Sequence, residues 1–173
     1  MPKYDKTNST NLVMRCAPQA RTDFYSLAEK ENNPDKNLVD TDFAFTPQNA
    51  PVVNGDALAI ACSPRQQPCS MDFAFVLDDG KALLGEMKFN VDSSIHQQLK
   101  SILKKFKGTY NNLHALIAFF HNNSFVLFNE DRLEEGISVL SRLDEEFQED
   151  ALVKALNLHF IAKTLPSFSK DFF

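Results

Sequence analysis

Residues 71–77 and 82–89 alternate with the two-residue period of β-strands, while residues 21–31, 94–107, 133–147 and 152–165 space their apolar side chains as helices do. In the first strand run Asp72, Ala74 and Val76 share one face, and Phe73, Phe75 and Leu77 take the other. In the second, Leu84, Glu86 and Lys88 share a face. The first helical run carries Ala20, Phe24, Leu27 and Ala28 as one stripe and stops at Asn32-Asn33-Pro34. The second opens at Asp92-Ser93-Ser94, where Ser94 with Gln97 makes a capping box, and turns Ile95, Leu99, Ile102, Leu103 and Phe106 inward. Shorter apolar runs at 38–45, 57–62, 115–120 and 125–129 read as further strands, and residues 1–16 as an irregular polar arm. This order predicts an α/β fold, a mixed central sheet flanked by helices, in a single domain over residues 1–173.

The two strand runs are joined by Asp78-Asp79-Gly80, and the turn decides which charges meet, because a one-residue slip sends every side chain to the opposite face. A two-residue loop would oppose Asp72 to Met87. A three-residue loop closing at Leu77 and Lys81, with Gly80 left-handed, opposes Asp72 to Glu86 and Ala74 to Leu84, and Asp-Asp-Gly suits it. Two carboxylates facing each other repel, and a site that keeps them together usually has a cation between them. The plain alternative is a solvated edge with one surface ion pair, worth less than about 1 kcal/mol. Against it, Ala74, Val76, Ala82 and Leu84 on the same face point to a half-buried surface with its charges at one end.

Asp72, followed across a hairpin by Glu86-Met87-Lys88 and then by a helix, resembles the PD-(D/E)xK superfamily, the restriction-endonuclease-like nucleases. Met71 stands where the motif's name has Pro, a position that supplies no ligand. The resemblance implies an αβββαβ core over residues 17–130 and extra helices over residues 131–173. It implies that Asp72 and Glu86, with the Met87 carbonyl, hold Mg²⁺ or Mn²⁺, and that Lys88 orients or activates the attacking water. It also makes Glu31 the match to an acidic residue on the first helix, and Gln98 the match to a polar residue that faces substrate from the later helix.

Charge distribution changes the picture more than composition does. The net charge is −5, but residues 131–150 alone carry −6, so the rest of the chain stands near neutrality at +1. Residues 93–107 hold Lys100, Lys104, Lys105 and Lys107 and no acid, a positive helix a few residues after Lys88, where a phosphate backbone would need it. Lys100, Lys104 and Lys105 are therefore expected to contact nucleic acid. A content of 43% apolar residues, with sixteen Phe, argues against a disordered chain. No run reaches the length of a membrane span, and Met1-Pro2-Lys3-Tyr4-Asp5 lacks a signal-peptide core, so a soluble cytoplasmic protein is expected. Cys16, Cys62 and Cys69 lack metal-type spacing, which predicts reduced thiols and no zinc. With five Gly, no phosphate-cradling loop and no GxSxG elbow, P-loop and serine-hydrolase chemistries are disfavoured.

The expected function is a metal-dependent nuclease acting on nucleic acid, with DNA the expected substrate and RNA the alternative, and with Asp72, Glu86, Lys88 and Gln98 in the catalytic set. The competing class is a non-catalytic interaction protein, of inhibitor or immunity type, that keeps the fold and presents its acidic helix in place of a phosphate backbone. Phe160, Phe168, Phe172 and Phe173 are placed to dock the C-terminal helices onto the body, onto a protein partner or onto a second copy.

Overall fold

The structure, a computed structural model, describes residues 1–32, 38–66, 69–90 and 94–173. Among them, β1 (Arg21–Asp23), β2 (Pro51–Asn54), β3 (Phe73–Val76), β4 (Ala82–Lys88), β5 (Asn123–Phe128) and β6 (His159–Thr164) form one mixed sheet in chain order. The pairings from β1 through β4 are antiparallel, and those from β4 through β6 are parallel. One face is covered by α1 (Lys6–Arg15), α3 (Gly55–Cys62), α4 (Ile95–Leu99), α5 (Ile102–Leu113), α6 (Leu133–Phe147) and α7 (Ala151–Leu156). The other is covered by α2 (Phe24–Glu31) and α8 (Leu165–Phe172). The fold is thus α/β, with a mixed sheet between helical layers. Among the described residues no helix is long and apolar enough to cross a membrane.

The strand period sorts the side chains into two cores. Phe73, Phe75 and Leu77 join Phe24, Phe125, Phe168 and Phe172 on the α2/α8 side, with Phe24–Phe73 and Phe168–Phe172 ring centroids 5.1 and 4.8 Å apart. Each buried Phe contributes about 1.5–3 kcal/mol. Phe168 and Phe172 therefore dock α8 onto the body of the same chain. Ala74, Val76, Ala82 and Leu84 join the opposite core.

The hairpin closes as its turn residues dictate. Leu77 N–H donates to the Lys81 carbonyl at 2.9 Å, Gly80 N–H donates to the Leu77 carbonyl at 2.8 Å, and Gly80 has φ +83°. The resulting register pairs Ala74 with Leu84 and Phe73 with Gly85. A Cβ on Gly80 would meet nothing within 4 Å, so only its backbone conformation resists substitution. Gly80→Ala should cost about 1–2 kcal/mol in urea denaturation and leave the register intact.

Several expected elements differ. Residues 1–16 are not irregular. Asp5 caps α1 by accepting the Asn8 N–H at 2.9 Å, and only Leu12 and Val13 among its apolar side chains are buried, too few to show as a stripe. The helix expected from residue 21 begins at Phe24, after β1. Residues 40–43 form a 3₁₀ turn rather than a strand, and β2, unforeseen, lies between β1 and β3. Residues 57–62 are helical because Asn54 caps Ala57 and three alanines outweigh an alternating pattern. The helix expected over residues 94–107 breaks at Lys100-Ser101: α4 packs on α6, whereas α5 packs on α3. Ser94 makes no side-chain cap, and Asp92, Ser93, Asn33 and Pro34 lie outside the described residues. Residues 115–120 form turns after α5, with a single bridge from Phe120 to Ala82. The helix expected over residues 152–165 ends at Asn157, left-handed at φ 50°, and β6 follows. The C-terminal stretch is therefore part of the sheet as well as of the helical layers.

Candidate active site

Asp72 sits where regular β3 pairing begins. The hydrogen-bonded pairs of the hairpin recur at Leu77–Lys81, Phe75–Leu83 and Phe73–Gly85, so the next bond would join Met87 to Met71. Instead the Asp72 side chain enters, and its Oδ2 accepts the Met87 N–H at 2.7 Å. Backbone clamps hold it there. Met71 N–H donates to the buried Thr109 Oγ1 of α5 at 2.8 Å, and Gly55 N–H, at the start of α3, donates to the Asp72 carbonyl at 2.9 Å. Both helices approach closely through glycine: a Cβ on Gly55 would lie 1.8 Å from the Met71 carbonyl oxygen, and one on Gly108 2.0 Å from that of Cys69.

Glu86 and Lys88 project from β4 toward the same layer. Glu86 is 1% exposed, and its Oε1 receives two ammonium groups, Lys88 Nζ at 2.9 Å and Lys105 Nζ of α5 at 2.5 Å. Its Oε2 is buried with no hydrogen-bond partner among the described residues. Replacing a buried charge cluster with packed apolar side chains is often neutral or stabilising, so stability alone does not account for this one.

The electrostatics follow from burial and crowding. Desolvation, then the Glu86 charge, holds the Asp72 carboxyl well above the usual carboxylate range, against the Met87 hydrogen bond; Glu31 and Asp56 add to the rise. Glu31, at the end of α2, is raised by burial and by Asp56 and Glu86. Burial opposes the charge of Lys105, but Glu86 and Asp72 outweigh it and raise its pKa.

The hairpin thus brings Asp72, Glu86, Met87 and Lys88 together, and Glu31 shares their field. Lys105, a candidate for phosphate contact in the sequence, holds its ammonium on Glu86. Lys104 and Lys100 are exposed on α5 and at the end of α4, and Gln98 is half-buried on α4, a separate helix from Lys105. Asp56, in the first turn of α3, was not anticipated; its Oδ1 accepts from Ser70 Oγ at 2.5 Å. Reading Asn54-Gly55-Asp56 as a helix start would have found it.

Among the described residues no group of three or more His, Cys, Asp or Glu side chains stands ready to hold a metal ion. The donor chemistry nonetheless fits a hard divalent cation: two opposed carboxylates, one with a buried orphan oxygen, and a carbonyl, Met87, that an antiparallel strand turns to the same side as its N–H. Comparison of the chain with protein-family models, curated proteins and solved structures finds no match, so the site is read from its own residues.

Proposed function

We propose that this chain is a divalent-cation-dependent nuclease of PD-(D/E)xK type, hydrolysing phosphodiester bonds of nucleic acid, with DNA the first substrate to test and RNA the second. The observation that carries the reading is the burial of Asp72 opposite Glu86, with Glu86 Oε2 unpartnered and two ammonium groups on Oε1. The chain order α2, β2, β3, β4, α5, β5 supports it, being the expected αβββαβ order with α3 and α4 added. Asp72, Glu86 and the Met87 carbonyl would hold Mg²⁺ or Mn²⁺, which when bound supplies Lewis acidity at a phosphoryl oxygen and acidifies water. Lys88, its side chain 17% exposed and its ammonium on Glu86 Oε1, would hold the attacking water and donate to oxygens that gain charge in an in-line displacement. Lys105 positions Glu86.

Millimolar Mg²⁺ or Mn²⁺ should raise the melting temperature of the chelator-treated protein, since a ligand of the folded state stabilises it by mass action. Lys88→Ala should keep that shift and cut nucleic acid about 10²–10⁴-fold more slowly. A melting curve indifferent to metal, together with no cleavage by the parent protein, would favour the interaction protein and its acidic α6.

A further inference from the structure

Beside the carboxylates, α3 and α5 border an open groove of about 500 Å³. Among the described residues its polar lining is Ser63, Gln66, Lys104, Lys107, Asn111 and Asn112, all hydrogen-bond donors, with no carboxylate, in a chain of net charge −5. Positions 104, 107, 108, 111 and 112 are spaced as one face of a helix, and that face belongs to the groove. The neighbouring face, with Lys105 and Thr109, belongs to the carboxylate site. The groove meets the site twice, since Cys69 in its wall precedes Asp72 by three positions and Lys104 precedes Lys105. Lys107 is paired with Asp150, whereas Lys104 forms no ion pair among the described residues.

We propose that this groove binds the phosphodiester backbone of a nucleic-acid strand next to the bond to be cut. Hydroxyl, amide and ammonium donors are the groups that contact phosphate oxygens, and they position a strand without reading its bases. From Lys104 to Asn112 the stripe extends about 12 Å, the rise of roughly three nucleotides of one strand. The role in catalysis rests on the nuclease reading above; the binding itself does not.

Fluorescence anisotropy of a labelled oligothymidylate, and of its duplex, in chelator without divalent metal, separates the two. Lys104→Glu with Asn112→Asp should weaken binding at least about 10-fold and flatten the dependence of log K on log salt by about one unit. Lys170→Ala, an exposed position on α8 across the sheet from the groove, should bind as the parent does. A melting temperature equal to the parent's establishes that the double variant is folded. Binding by the folded double variant with the parent's affinity and salt slope would overturn the proposal, as would a parent protein that binds neither probe. Lost binding in the variant with no cleavage by the parent under Mg²⁺ or Mn²⁺ would support the groove and remove the nuclease reading.

Discussion

Asp72→Asn should be more stable than the parent protein at neutral pH in chelator, and should cut nucleic acid at least about 10²-fold more slowly with metal present. Burial and the Glu86 charge raise the Asp72 carboxyl in the folded protein, so the folded state keeps its proton to higher pH than the unfolded chain does. Its favourable contribution is complete below the unfolded value, about 3.9, and is lost as pH climbs through the raised folded value. Glu31, raised for related reasons, adds to the same slope. Asparagine has no proton to lose: its carbonyl oxygen can accept the Met87 N–H, and its amide presents donors to Glu86 instead of a second carboxylate. Each kcal/mol regained should raise the melting temperature by about 2–4 °C in a chain of this size. Urea denaturation from acid to neutral pH, in chelator, should therefore give a falling stability in the parent and a flatter one in the variant. Equal slopes would mean that Asp72 is not the strained member of the pair. The expected combination, a gain in stability with a loss of activity, marks a residue retained for chemistry rather than folding.

Gly55→Ala should be the most damaging small substitution near the site. The added Cβ would stand 1.8 Å from the Met71 carbonyl oxygen and 2.9 Å from its carbon, and neither can rotate away as a side chain would. Alanine's helix propensity favours the variant by about 0.5–1 kcal/mol, but overpacking and the lost Gly55 N–H to Asp72 carbonyl bond together cost about 2–4 kcal/mol. The clash decides the sign. Because the same backbone segment carries Asp72, affinity for Mn²⁺ in titration calorimetry should fall with stability. Gly80→Ala, strained only in its own φ, should keep that affinity. Equal metal affinity in the two variants would show that the Gly55 contact does not position Asp72.

The contrast between these glycines separates what was legible in the sequence from what was not. Gly80 belongs to a turn whose residues are contiguous, and the alternation of Phe73, Phe75 and Leu77 against Ala74 and Val76 assigns the faces. The meeting of Asp72 with Glu86 and Lys88 could thus be derived from a two-residue period and one loop length. Sequence by itself also determined the α/β class, the burial of Ile95, Leu99, Ile102 and Phe106, with Leu103 of that stripe only half-buried, and the helix from Leu133 to Phe147. Tertiary structure alone decided that Lys105 turns to Glu86 rather than to solvent, that Gly55 and Thr109 clamp the approach to Asp72, and that Asp56 and Glu31 enter its field. It also decided that residues 57–62 wind into α3 and that β6 adds to the sheet beside β5. Local patterns encode which face a side chain takes on its own element. Which elements then lie against one another is set by packing between segments tens of residues apart, where a glycine's missing Cβ or one buried hydroxyl determines how closely they approach.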